Sequence, residues 1–211
     1  MNTEEVIAYL NDHPEVAEQI LTEVQLPDPH DGRAISIGER QVIALRDKVK
    51  LLEVKLSQLV HFGEENDAIT DKLHRLTLAM MMARSLPGLF NAVHFNLRED
   101  FAVPHTAMRV WGLKGHDSLV ECSAVDAAAT EYAAGLTHPI CGADAPESVR
   151  ALFGDSAAHL RSFALIPLRA EQMGGILALA SEDAERFYAE MGTLYLQRLG
   201  ELLSIAITRV A

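Results

Sequence analysis

One cysteine and one histidine lie close enough in the sequence to suggest thiol chemistry. Cys141 follows His138 by three residues, and a nearby imidazolium can lower the pKa of a thiol and so activate it as a nucleophile. The same pair could bind a metal ion together with Cys122, but only if folding brings all three side chains together. A buried, unreactive cysteine is the commoner outcome at either position. We therefore predict no catalytic residue and no metal site.

The common signatures of nucleotide-binding and hydrolytic enzymes are absent from the sequence. It contains no G-x-S-x-G nucleophile turn, no Walker loop and no G-x-G-x-x-G fingerprint. Gly174 and Gly175 open a predicted strand rather than a helix, so they do not form a phosphate-binding turn. The sequence therefore favours a protein that is not an enzyme.

Composition excludes several classes of protein. The chain has 211 residues with 18 basic and 30 acidic side chains, a net charge of −12 and a pI near 5.1. This acidity argues against direct binding of nucleic acid, which requires clustered Lys and Arg. No apolar run approaches the ~20 residues that span a membrane. Apolar residues make up 49%, which is typical of a globular chain. We expect a cytoplasmic protein with neither a nucleic-acid nor a membrane partner.

The first region, residues 1–35, carries the pattern of short helices followed by a turn. Helical spacing of apolar residues predicts two short helices within residues 3–24. Residues 26–32 hold two prolines, two aspartates and a glycine, which predicts a turn or linker.

The second region, residues 36–84, predicts one long helix. Ser36 and Glu39 form a capping box, so the helix should begin near residue 37. Apolar residues then alternate at spacings of three and four, as in a coiled coil, with a slip near Phe62 and Gly63. After the slip Asn66 takes a core position, where a buried amide favours one register and a dimer. The predicted dimer residues are Val42, Leu45, Val49, Leu52, Leu56, Leu59, Asn66, Ile69, Leu73 and Leu76.

Two questions about this helix stay open at the level of sequence. It could pair with a second copy to form a homodimer, which we favour because a helix of ~45 residues outruns any domain that this chain could build. It could instead pack against its own domain. The spacing does not distinguish a parallel dimer from an antiparallel one.

The third region, residues 85–211, predicts a domain of mixed helices and strands. Helices are expected over 86–101, 126–134, a short segment from 144 that Gly154 closes, and 184–209. Strands are expected over 105–112, 118–124, 162–169 and 174–181, as two hairpins. This order of elements indicates an α+β fold with an antiparallel sheet flanked by helices.

The sequence resembles two known families. The strand 162–168 ending in Pro-Leu, the Gly-led strand 175–181, Phe187 and the closing helix resemble the C-terminal half of a GAF domain. The whole chain is similar to domain-of-unknown-function family 484, from EEVIAYLNDHPEVAEQ through SIGERQVIALRDKV to ERFYAEMGTLYLQRLGELLS. The resemblance implies a helical N-terminal region followed by a GAF-like domain, dimerisation and no assigned reaction.

A GAF-like fold implies a small-molecule pocket between the sheet and residues 125–160. Small residues on the strands would leave room there, and a guanidinium and an indole could hold an anionic or planar ligand. The candidate pocket residues are Arg109, Trp111, His138, Cys141, Ala164, Ala178 and Ala180. The alternative is that the alanines allow neighbouring side chains to form a well-packed core, with no pocket. The identity of any ligand or cofactor stays unknown.

Three hypotheses for function follow from the resemblance. The first is a homodimeric, non-enzymatic GAF-like sensor or adaptor, in which a bound ligand shifts the helices. The second is a scaffold that has lost its pocket and engages a protein partner through its helices. The third relies on GAF-like enzymes that reduce free methionine sulfoxide with loop cysteines, because Cys141 lies in the corresponding loop. That chemistry usually uses more cysteines than this loop contains.

Overall fold

The computed structural model describes residues 37–211. The two short helices and the turn expected before residue 36 lie outside these residues. The described residues divide between two units, residues 37–59 and residues 60–211. Helix α1 spans Ile37–Met82, which confirms the predicted start near residue 37. The last turns of α1 contribute Leu73, Leu76 and Met80 to the core of the second unit.

Four further helices belong to the second unit. Helix α2, Leu86–Glu99, starts at Ser85, whose hydroxyl accepts a hydrogen bond from the Gly88 amide at 3.4 Å. Helix α3 is Ala127–Gly135, and Asp126 caps it by accepting from the Ala128 amide at 3.3 Å. Helix α4, Glu147–Arg150, runs into a 3₁₀ segment, Ala151–His159, which Gly154 interrupts with a φ of 57°. Helix α5 is Leu194–Val210.

The sheet has four antiparallel strands in the order β1-β4-β3-β2. Their bounds are His105–Trp111 for β1, Ile140–Gly142 for β2, Ser162–Ala170 for β3 and Met173–Ser181 for β4. The predicted hairpin between β3 and β4 is confirmed, and so is the α+β fold class. The architecture is consistent with a GAF-like fold.

The strand predicted over 118–124 is wrong. This segment contains a 3₁₀ turn, Val120–Cys122, and β1 pairs with β4 instead. Local bonds hold the turn: the amide of Cys122 donates to the Leu119 carbonyl at 3.0 Å, and the Ser123 hydroxyl donates to the Val120 carbonyl at 2.7 Å. A short hydroxyl side chain that bonds its own backbone competes with a strand ladder.

The last helix begins ten residues later than the predicted residue 184. Tertiary bonds hold the preceding segment in turns. The Ser162 hydroxyl donates to the Asp183 carbonyl at 2.6 Å, and the Arg186 guanidinium donates to the Phe101 carbonyl at 2.6 Å. Phe187 is buried within this turn segment rather than on a helix.

Each face of the sheet carries its own apolar core. The face that we call the helix face bears Met108, Ile166 and Leu177 and packs with the end of α1, α2 and α5. The opposite face, the outer face, bears Phe163 and Ile176 and is covered by α3, α4 and the 3₁₀ segment. Among residues 37–211, no helix is long and apolar enough to cross a membrane.

Candidate functional site

The outer face of the sheet is where a GAF-like pocket is expected. Arg109 and Trp111 alternate along β1, and Trp111 packs against the outer core. Ala178 and Ala180 lie in the same core and are completely buried. Four of the seven candidate pocket residues therefore share one face.

Large neighbours fill the room that the small residues leave on this face. Phe163 lies opposite Ala180 and Leu165 lies opposite Ala178 in the ladder between β3 and β4. Directly opposed residues in an antiparallel pair place their side chains next to one another on one face. Both large side chains are almost fully buried. The alanines thus accommodate packed neighbours rather than a ligand-sized space.

The segment that covers the outer face also contributes side chains to this core. The Phe153 ring lies 6.1 Å from the Phe163 ring, centre to centre, and the Arg150 guanidinium lies 5.3 Å over the Phe163 ring. Val149 is fully buried in the same core. A recess of about 460 Å³ beside this region is lined by Ala128, Glu131, Tyr132, Gly135 and Leu136. Its walls belong to α3 and the residue after it, so it lies on the cover and not against the sheet.

Arg109 and Trp111 are occupied by local contacts. The Arg109 guanidinium donates to the carbonyl of the preceding residue, Met108, at 2.8 Å. A Cβ added at Gly174 would collide with the Trp111 indole, so the indole lies directly over this part of β4. Gly174 therefore makes room for the indole, which explains why the second residue of β4 has no side chain.

The other three candidate residues do not join this group, which corrects the expected site. Ala164 packs in the core of the helix face, and Cys141, its ladder partner, packs against the same core. Alternation along a strand separates them from Ala178 and Ala180. His138 is exposed, and its ring nitrogen Nδ1 lies 2.9 Å from the Thr137 hydroxyl. The seven residues therefore do not form one site.

Neither cysteine shows the electrostatics of a reactive thiol. Burial raises the pKa of the Cys141 thiol. The pKa of Cys122 is also raised, first by burial and then by the carboxylates of Glu121 and Asp117. A raised pKa leaves less thiolate, the form that attacks and binds metals. Within residues 37–211, no three His, Cys, Asp or Glu side chains are grouped to hold a metal ion.

A polar cluster lies at the edge of β1, where the sequence predicted no site. The His94 ring places Nδ1 at 2.7 Å from the Thr106 hydroxyl and Nε2 at 3.3 Å from the Glu121 carboxylate. All three side chains are partly buried, and they connect α2, β1 and the 3₁₀ turn. Because these residues are up to 27 positions apart and belong to no motif, only the fold reveals the cluster.

The residues predicted to form a dimer divide into two groups. The side chains of Val42, Leu45, Val49, Leu52, Leu56 and Leu59 are between 47% and 66% exposed. Asn66 is also exposed, and Ile69 is half-buried. Leu73 and Leu76 instead lie in the core of the helix face. The prediction is corrected for these two leucines, because their own domain covers them.

These features define a class of protein: an α+β domain with an antiparallel sheet and two filled cores, joined to a long helix whose first half exposes large apolar side chains. The chain matches the family described as protein of unknown function DUF484 over residues 1–211, and it belongs to that family. No curated protein matches it.

Proposed function

We propose that this protein is a non-enzymatic adaptor that forms a homodimer through α1 and engages a protein partner through its helices. The observation that carries the proposal is the exposed apolar surface of α1. Eleven large apolar side chains between residues 42 and 62 are 47–66% exposed. Exposed apolar patches of this kind mark interaction surfaces in globular proteins.

The spacing of this surface favours a helical partner. Val42, Leu45, Val49, Leu52 and Leu56 alternate at three and four residues, which is the repeat that packs knobs into holes against another helix. A second copy of the chain supplies the same repeat, and two-fold symmetric pairs are the commonest oligomers. The homodimer is therefore the simplest arrangement that covers the stripe.

The filled outer core argues against the small-ligand sensor as the leading function. A sensor needs a space that a ligand occupies, and such pockets usually measure about 300–1,000 Å³ and are mostly formed in advance. Here Phe163, Leu165 and Val149 occupy the expected position. A melting-temperature screen with nucleotides, amino acids and tetrapyrroles should give no shift. A reproducible, saturable rise with one compound would favour the sensor instead.

The dimer is tested by placing a charge within the stripe. Light scattering should give the mass of a dimer for the parent protein, and Leu52→Glu should give a monomer because it places a carboxylate in the apolar seam. Gln58→Glu adds the same charge six residues later, outside the stripe, and should stay dimeric. A parent protein that is monomeric at ~100 µM, well above the Kd of a stable dimer, would contradict the proposal.

The partner interaction is tested with the same two variants. Proteins captured from a lysate by the parent and by Gln58→Glu, but lost with Leu52→Glu, would support an adaptor that depends on the dimeric helix. Capture that is equal for all three proteins would place the partner surface elsewhere.

A further inference from the structure

Helix α1 carries a second group of apolar side chains, which lies away from the dimer stripe. Ile43, Leu51 and Val54 are 49%, 54% and 56% exposed. Eight and three residues separate them in the sequence, so at 3.6 residues per turn they share one side of the helix. In the heptad that begins at Val42 they occupy positions b, c and f, which point away from the other helix of a two-stranded pair. A dimer formed through the stripe therefore leaves this group, which we call the second strip, exposed.

The second strip lies in a basic segment of an acidic protein. Residues 40–58 contain five basic and two acidic side chains, a net charge of +3, whereas the whole chain carries −12. The basic residues are Arg40, Arg46, Lys48, Lys50 and Lys55. Because the rest of the chain is acidic, this segment is where a negatively charged partner is attracted rather than repelled.

Three of these cations lie beside the second strip. Helical geometry places Arg40 and Lys50 on the same side of α1 as the strip and Lys55 at its border. Asp47 lies on this side as well, and all four side chains are exposed. In the described part of the chain, the Lys50 and Lys55 side chains form no ion pair or hydrogen bond. The second strip therefore has an aliphatic centre and a border of net positive charge.

An amphipathic helix with acidic borders fits this surface. Its aliphatic side chains can pack on the strip while its carboxylates face the two lysines. A nucleic acid matches the charge but not the aliphatic centre, because most of its contacts go to phosphate and sugar groups. A helix that lies in a bilayer interface presents a wide apolar face, typically with Trp or Phe, whereas this strip has three aliphatic residues. The surface therefore favours a protein segment.

We propose that the second strip binds an acidic amphipathic helix of a protein partner, which packs on Ile43, Leu51 and Val54 and pairs its carboxylates with Lys50 and Lys55. The inference rests on the proposed adaptor and specifies the chemistry of its partner. Partner binding and dimerisation use different sides of α1, and each copy in a dimer presents one strip. Pairing also stabilises the helix that carries the strip, because isolated helices are marginal in water.

A designed peptide tests the charge of the partner. The probe is a fluorescein-labelled peptide of about 20 residues with leucines at spacings of three and four and glutamates beside them. The control peptide has glutamine in place of glutamate. Fluorescence anisotropy with the full chain should show saturable binding of the acidic peptide that weakens between about 50 and 500 mM NaCl, because salt screens exposed charges. Equal binding of the two peptides, or binding of neither, would overturn the proposal.

Two substitutions locate the bound peptide. Lys50→Glu should raise its Kd by about tenfold or more, because it sets a carboxylate beside those of the peptide. Lys114→Glu makes the same change in an exposed loop of the second unit and should leave the Kd unchanged. Val54→Gln should raise the Kd severalfold without a change of charge, because it removes apolar contact area. Light scattering should give all three variants the mass of the parent protein.

The remaining outcomes separate this inference from the proposed function. A peptide that binds the parent, Lys50→Glu and Val54→Gln alike occupies another surface, and the inference fails. It also fails if Lys50→Glu abolishes binding of a 20-nucleotide single strand or of phosphatidylserine vesicles while the acidic peptide does not bind. A dimeric parent that ignores the acidic peptide defeats this inference alone. A monomeric parent contradicts the homodimer, whereas peptide binding that both substitutions weaken would still support the second strip as a docking site.

Discussion

The apolar side chains of residues 42–59 and those of residues 60–211 differ in their exposure to solvent. The first region exposes about half or more of each of its leucines and valines, whereas the second buries Leu76 and Met80 from the same helix in a closed core. Both regions repeat apolar residues at helical spacing. An apolar repeat at helical spacing therefore identifies a helix face that must be buried. It does not show whether the chain's own domain or another chain buries that face.

Polar anchors explain why the second region covers its own stripe. Arg209 at the end of α5 donates to the carbonyls of Met80, Met81 and Ala83 at the C-terminal end of α1, where helical carbonyls lack the partners that the inner turns supply. Hydrogen bonds from a charged donor are stronger than neutral ones. Residues 42–59 receive no such anchor from a second helix among the residues that the structure describes, so their stripe stays exposed.

The largest expected effect contrasts one substitution in the two regions. Leu76→Ala should lower the free energy of unfolding by about 2–5 kcal/mol, because it leaves a cavity in a packed core. Leu52→Ala should change the unfolding of the domain by less than about 0.5 kcal/mol, as is usual for a surface substitution. Urea denaturation followed by circular dichroism measures both.

Protein concentration serves as the control for this pair. Dimerisation makes stability depend on protein concentration, so the parent and both alanine variants are compared at a concentration low enough for light scattering to show that all three are monomeric. Equal destabilisation by the two alanine variants at that concentration would show that residues 42–59 are as firmly packed as the domain, and the contrast would disappear.

Much of the fold could be predicted because its signals are local. The capping box predicted the start of α1, the alanine-rich segment 126–134 predicted α3, and two adjacent apolar segments predicted the hairpin of β3 and β4. Segment 118–124 and residues 184–193 were misassigned because bonds absent from the sequence pattern decide them. The turn around Asp183 and Phe187 depends on hydrogen bonds made by Ser162, Arg186 and Phe101.

The candidate site was harder to predict because it depends on which face each strand residue occupies. Alternation within β3 and β4 can be read from the sequence, but the register between them cannot. A shift of one residue in the register between β3 and β4 exchanges the two faces of the sheet. Without the register, the sequence grouped Ala164 with Ala178, although these residues face different cores. The filling of the outer face by Phe163 depends on the same register.

A smaller effect is expected from enlarging a residue of the outer core. Ala178→Leu should destabilise the domain by about 1–3 kcal/mol, because a larger side chain in a filled core forces its neighbours to move. Ala127→Leu, at an exposed position of α3, is the matched control and should be nearly neutral. Thermal unfolding at fixed concentration measures both. A neutral or stabilising Ala178→Leu would reveal unfilled space and restore the pocket as a candidate site.

The smallest expected effect concerns the thiols of the packed region. Burial raises the pKa of the Cys141 thiol above its ordinary value, so the unfolded chain loses this proton first as the pH rises. Stability should therefore be unaffected below the ordinary thiol pKa and fall as the pH passes above it.

Iodoacetamide should also label the native chain more slowly than the urea-unfolded chain at pH 8, with mass spectrometry locating the labelled residue. Cys141→Ser should remove its share of the alkaline loss of stability, while Cys122, whose pKa is raised as well, retains its own. Rapid labelling of native Cys141 at neutral pH would instead mark an activated thiol and bring a thiol enzyme back into consideration.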